Sequence, residues 1–218
     1  MHSTVEKLIQ IKGEIKTLCL KKLNVPEIIA ISKTNPVEKI KPLIDYGHNH
    51  FGENKVQEAV LKWTEIKLNN PNINLHMVGK LQSNKVKEAV TLFDYIHSLD
   101  SYKLAEKISN QQKMLNKKIK FFIQINFDGE IQKSGIDPST VSKFIYDCKN
   151  KFSLDVIGLM CLPPINSNPI EYFKKMLKMK NELKLQKLSM GMTSDYKEAI
   201  EYESSFLRIG TKIFGERK

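Results

Sequence analysis

The chain has 218 residues, 41% of them hydrophobic, and its 35 Lys+Arg against 24 Asp+Glu give a formal charge of +11. That length suits one domain with a real core, and the composition excludes a disordered chain. No apolar run approaches the ~20 residues of a bilayer span, and charges interrupt the first stretch too often for a secretory signal, so a cytoplasmic protein is expected.

The charge suggests an anionic partner, but 33 of the 35 basic residues are lysine. Only Arg208 and Arg217 offer the planar fork that nucleic-acid readers favour. A solvated lysine-rich surface is therefore expected, with no nucleic-acid or membrane partner. Cys19, Cys148 and Cys161 are too few and too scattered for a disulfide framework or a metal cluster.

Residues 3–23 read as an amphipathic helix with Leu8, Ile11, Ile15 and Leu18 at helical spacing. Ile28–Ser32 is a short β-branched run, a buried strand, with Lys33 at its end. Thr34 or Asn35 then caps a helix with Pro36 in its first turn. The rhythm repeats: strand 49–52 and helix 55–67, strand 75–78 and a helix capped by Ser83, strand 95–98 and a helix capped by Asp100 or Ser101. Strand 119–126 precedes a helix started by Pro138, and strand 155–160 a helix started by Pro169. Strand 187–190 precedes a helix near 195–202, and strand 205–209 runs into Gly210. Trp63 and Tyr46 read as helix packing, and His48, His50, His76 and His97 as core or rim histidines.

About eight apolar strands separated by helices imply a parallel sheet covered by helices. A closed (β/α)8 barrel and an open doubly wound sheet both fit, and eight units favour the barrel. The expected organisation is one α/β domain over 1–218, a helix at 3–23 followed by a barrel at 28–215.

In either fold, ligands gather where strands end. A lysine finishing a buried strand either snorkels to water or is desolvated into a nucleophilic amine able to form a Schiff base with an aldehyde. Ser189-Met190-Gly191 and Gly210-Thr211 place a hydroxyl beside a glycine at the last two strand ends, where barrels commonly bind phosphate. Together with Lys33 they fit a phosphate-bearing aldehyde, the chemistry of pyridoxal phosphate.

The stretches Ala30–Thr34, Phe51–Glu58, His76–Lys85, Lys133-Ser134-Gly135, Gly158-Leu159-Met160, Leu188–Met192 and Arg208–Gly215 resemble the YggS/PROSC family, the pyridoxal phosphate homeostasis proteins. The resemblance runs in order from about residue 28 to 217. It implies a barrel of the pyridoxal-phosphate-binding type, like the N-terminal domain of alanine racemase. By that resemblance Lys33 holds pyridoxal 5'-phosphate as a Schiff base, and Ser189, Gly210 and Thr211 bind its phosphate. Arg208 meets the pyridine nitrogen, while Asn54 and Met160 line the ring. Asn35 stands where the family often has a second lysine, and Lys55 where it often has a tyrosine.

An arginine at the ring nitrogen only donates, so it keeps that nitrogen unprotonated and the ring a poor electron sink. Related racemases also take a tyrosine base from a further domain, which is not expected here. The sequence therefore points to a carrier or buffer in pyridoxal phosphate homeostasis, a monomer without strong turnover that influences amino-acid and keto-acid balance. Its partners would be pyridoxal phosphate and the apo-enzymes that use it. The alternative is a small pyridoxal-phosphate-dependent racemase or lyase.

Overall fold

In the computed structural model, residues 1–20, 22, 24–128 and 134–216 are described. Lys133 and Arg217, and positions 21 and 23 of the expected first helix, lie outside them. The elements run α1 (Ser3–Leu18), β1 (Glu27–Ile31), α2 (Val37–Asp45), β2 (His50–Glu53), α3 (Val56–Asn69) and β3 (Asn74–Met77). A 3-10 turn (Ser83–Lys85) leads into α4 (Val86–Leu92), followed by β4 (Tyr95–Leu99), α5 (Tyr102–Leu115), β5 (Lys120–Gln124), α6 (Val141–Asn150) and β6 (Asp155–Met160). Then come α7 (Pro169–Glu182), β7 (Lys187–Met192), α8 (Tyr196–Glu201), β8 (Phe206–Ile209) and α9 (Thr211–Phe214).

All eight strands are parallel and pair in sequence order into a closed barrel. The seam joins first to last: Ile29 faces Arg208 and Ala30 faces Ile209 across β1 and β8. The expected barrel is therefore the fold.

The strand period of two sorts residues between two cores. Ile28 and Ala30 of β1 face outward into the large cluster between sheet and helices. Ile29 and Ile31 face inward and join Val78, Tyr95, Phe122, Met160 and Phe206 in an apolar plug inside the barrel. Each such side chain contributes roughly 1.5–3 kcal/mol on burial.

Several boundaries differ from the sequence reading, for local reasons. α1 stops at Leu18, which is exposed, so its core face is Val5, Leu8, Ile11 and Ile15. Its Glu14 accepts from the Lys212 ammonium and the Tyr196 hydroxyl, tying α1 to α8 and α9. Pro36 is the N-cap of α2 and not its first turn, and neither Thr34 nor Asn35 caps it. Pro138 precedes α6 in a turn, with Thr140 at the cap. Ser83 opens the 3-10 turn ahead of α4. Ser101 does cap its helix, its side chain accepting from Leu104 N–H, and ahead of Pro169 the cap of α7 is Asn168, which accepts from Ile170 N–H. Tyr46 closes α2 half-exposed, with the Lys12 ammonium 5.6 Å from its ring centroid, and is not packed inside.

Candidate functional site

Of the residues singled out in the sequence, Lys33, Asn54, Gly210 and Thr211 gather at the C-terminal mouth of the barrel. Lys33 lies in the turn after β1, half-buried, and it shares a cavity of about 610 Å³ with Ile31, Thr34, Gly210 and Thr211. The seam explains the meeting: β1 and β8 are neighbours, so the turns that follow them face each other. Asn54 lines a second cavity at this mouth, of about 640 Å³, with Gly79, Gln124 and Cys161. Gly79 is required there, because a Cβ would sit 2.3 Å from the Asn54 carbonyl oxygen. Met160 is fully buried in the apolar plug beneath.

The backbone around Lys33 is fixed from all sides. Thr34 is β-branched yet sits at φ +61°, a left-handed conformation that is costly unless its surroundings enforce it. Its N–H donates to Glu58 Oε1 at 2.5 Å, and its hydroxyl donates to the Lys33 carbonyl at 2.6 Å. Asn35 Nδ2 donates to that same carbonyl at 3.2 Å. On the other side, Lys62 Nζ holds the Ser32 carbonyl at 2.9 Å.

Lys62 also donates to Glu58 Oε1 at 2.9 Å and to Glu53 Oε1 at 3.0 Å. Glu53 is a fully buried carboxylate. Its Oε1 also receives the Ser32 hydroxyl at 2.7 Å and the Trp63 indole N–H at 2.9 Å, while its Oε2 has no partner. Burial raises the Glu58 pKa, but its bonds from Lys62 and Thr34 overcome this and leave it below the ordinary value. α3 thus reaches under the β1 turn and clamps the peptide that carries Lys33.

Arg208 and Ser189 lie deeper than the sequence reading placed them. β7 continues through Gly191 to Met192, so Ser189 is mid-strand and fully buried, not at a strand end. Its hydroxyl oxygen accepts from Arg208 Nη1 at 2.7 Å and lies 2.8 Å from His97 Nδ1. Ser189 is thereby committed to the guanidinium and to His97. The hydroxyls at the rim after β7 are Thr193, half-buried, and Ser194, exposed. They follow Met192, which pairs with Arg208 in register. The cue in the sequence was the run Met192-Thr193-Ser194-Asp195, a strand end followed by a helix cap.

Arg208 is itself buried, and its Nη2 donates to the Cys161 carbonyl at 2.8 Å. Among the described residues no carboxylate pairs with it. Burial lowers its pKa, though a guanidinium stays protonated at any working pH. Beneath the mouth the barrel therefore holds a desolvated cation whose direct hydrogen-bond acceptors are neutral, and such a cation favours a ligand that brings an acceptor of its own. Cys161 is pushed up to about 12 by burial, so it is a thiol and no nucleophile.

Comparison with known proteins places this geometry. The family model for the alanine racemase N-terminal domain matches residues 13–218. The pyridoxal phosphate homeostasis protein of Haemophilus influenzae is 36% identical over 220 residues, covering 95% of this chain and 93% of its own. The human protein of that name is 34% identical over 211 residues, covering 88% and 77%. PipY of Synechococcus elongatus with pyridoxal phosphate bound superposes with a TM-score of 0.86 at 31% identity, over 97% of this chain and all of its own. An alanine racemase from Clostridium difficile shares the barrel at a TM-score of 0.74 and 15% identity, over 99% of this chain and 57% of its own.

Proposed function

The chain belongs to the family of the alanine racemase N-terminal domain and, within it, to the pyridoxal phosphate homeostasis proteins, and on that premise we propose that it carries pyridoxal 5'-phosphate at the C-terminal mouth of its barrel, anchored on Lys33. The observation that carries this reading is the cavity that Lys33 shares with Gly210 and Thr211 across the β1–β8 seam. The donor set fits the cofactor. Lys33 would hold pyridoxal phosphate through its amine, and the cofactor would supply the aldehyde for that linkage. The Gly210–Thr211 turn, joined by Thr193, offers hydroxyls and first-turn N–H groups to its phosphate. Arg208 offers an N–H to the ring nitrogen, Asn54 a polar edge and Met160 an apolar floor. Ser189 would act through Arg208, because its hydroxyl is already engaged by that guanidinium and by His97.

This arrangement holds a cofactor better than it turns one over. Arg208 donates where carbanion chemistry wants a carboxylate to keep a proton on the ring nitrogen. Neither thiol nor imidazole is poised there as a base: Cys161 keeps its proton, and burial makes His97 a weak base that resists taking one up. The protein is a homeostatic carrier, working as a single-unit monomer in the cytoplasm and passing pyridoxal phosphate to apo-enzymes. No described helix is long and apolar enough to cross a membrane.

Reconstitution with pyridoxal phosphate tests the anchor. A visible absorbance band should appear, vanish on borohydride reduction and leave the reduced adduct on the peptide containing Lys33, and Lys33→Ala should show none of this. An adduct on another lysine would refute the assignment. Incubation with single-enantiomer amino acids in D2O tests the carrier role, which rapid Cα–H exchange dependent on Lys33 would overturn.

A further inference from the structure

Three imidazoles, the half-buried His50 and the fully buried His76 and His97, run through the barrel from the mouth opposite the candidate site. His50 Nδ1 lies 2.8 Å from His76 Nε2, His76 Nδ1 lies 2.9 Å from His97 Nε2, and His97 Nδ1 lies 2.8 Å from Ser189 Oγ. Arg208 Nη1 completes the row by donating to Ser189. The outer end, His50, lines a cavity at the N-terminal mouth with Glu27, Tyr95 and Lys120. Stacking holds the inner rings in place, His76 on Tyr95 at 4.3 Å between centroids and His97 on Phe122 at 4.4 Å. Burial lowers the pKa of all three histidines, so each has one donor nitrogen and one acceptor nitrogen.

A row of neutral imidazoles can point either way, and two arguments fix this one. An arginine can only donate, so Ser189 Oγ accepts from it. If His97 Nδ1 also donated to Ser189, the serine proton would be buried with no acceptor. The satisfied order is Arg208 to Ser189 to His97 Nδ1, then His97 Nε2–H to His76 Nδ1, and His76 Nε2–H to His50 Nδ1. The second argument is electrostatic. In this order every lone pair faces the guanidinium, whereas the reverse order aims N–H groups at a buried cation. Asp195 is the carboxylate that acts on Arg208 from a distance, without a direct pair; the row adds aligned neutral dipoles behind the guanidinium, and bonds in series strengthen one another.

We propose that His50, His76 and His97 are positioning residues, a one-directional hydrogen-bond chain that solvates and orients the Arg208 guanidinium from behind. The orienting role toward the ring nitrogen rests on the pyridoxal phosphate reading above, while the direction of the chain does not.

The test uses the unloaded, 15N-labelled protein at pH 7.5. Histidine ring 15N shifts should report the Nε2–H tautomer at His50, His76 and His97, and an Nδ1–H signature at His76 or His97 overturns the direction. Only two arginines exist, so the Arg208 side-chain signals are easily assigned. Hindered guanidinium rotation should give them resolved Nη–H resonances that collapse in Ser189→Ala and in His97→Phe. His97→Gln, which can accept from Ser189 and donate onward, should restore them. Unchanged Arg208 signals in Ser189→Ala, the smaller change and the safer one for folding, overturn the positioning role. In loaded protein, His97→Phe should weaken pyridoxal phosphate binding by about tenfold or more, the worth of one charge-assisted hydrogen bond. Equal affinity also overturns the positioning role. A protein that shows the Nε2–H pattern but takes up no pyridoxal phosphate refutes the ligand reading and supports the chain.

Discussion

Lys62→Met probes the clamp beneath Lys33. The Lys62 side chain is 9% exposed, and its ammonium holds Glu53, Glu58 and the Ser32 carbonyl. Methionine keeps the stem packed but strips the cation from Glu53, which is 0% exposed and already has an oxygen without a partner. Breaking a buried pair from one side leaves an uncompensated charge and costs about 3–5 kcal/mol. Typical total stabilities are about 5–15 kcal/mol, so that is about a fifth or more of the fold. With a urea slope of about 2.5 kcal/mol/M, the midpoint of unfolding should fall by about 1–2 M. Glu53→Gln removes the stranded charge while keeping an acceptor for Ser32 and Trp63. The double variant Glu53→Gln/Lys62→Met should therefore recover about 2 kcal/mol of the loss. Pyridoxal phosphate should load more weakly on Lys62→Met, since the Ser32 carbonyl and Glu58 both lose their tether. A loss under about 1 kcal/mol, with no recovery in the double variant, would refute the reasoning.

Gly158→Ala should cost more than about 2 kcal/mol in the same assay, because its Cβ would sit 2.1 Å from the Lys187 carbonyl oxygen and push β7 off β6; a neutral result would show that the strands yield freely. Stability should decline as pH falls from about 6.5 toward 3. Burial holds His48 down at about 3 and pushes His76 and His97 the same way, while the unfolded chain takes up protons near 6.5. The unfolded state thus binds more protons in that window, and each histidine adds a slope of up to about 1.4 kcal/mol per pH unit; urea midpoints equal at pH 7.5 and 5 would contradict it. Thiol reagents should label none of the cysteines in the native protein, since Cys19, Cys148 and Cys161 are buried and the last two are pushed up to about 12. Fast native-state labelling would count against this.

The barrel was legible because each strand is a compact apolar run between helical periods, and burial on both faces leaves that mark on a sequence. Lys33, Gly210 and Thr211 were legible because fold logic alone sends strand ends to one mouth. Ser189 was misplaced because Gly191 reads as a break, whereas β7 carries on through it. Prolines misled in the same way: Pro169 starts a helix because Asn168 caps it, while Pro36 and Pro138 stand before theirs. The histidine row left no mark at all. Its members are 26 and 21 residues apart, and they touch only because barrel register brings their rings to adjacent heights. The Glu58–Thr34 bond is equally silent, since it joins a helix to a turn 24 residues away.

The seam between β1 and β8 has a consequence for the life of the protein. It is the junction with the widest sequence separation, and so the one whose closure costs most chain entropy. Lys33 follows one of its strands, and Gly210 and Thr211 follow the other. A molecule gripped from both sides is a removable rivet across that seam. Mass action then makes loading a stabiliser worth about 2.7 kcal/mol at a hundredfold excess over the dissociation constant. By the same linkage, each release leaves behind a barrel whose first and last strands keep only their backbone pairing and their own packing, so the emptied protein is the form more easily unfastened.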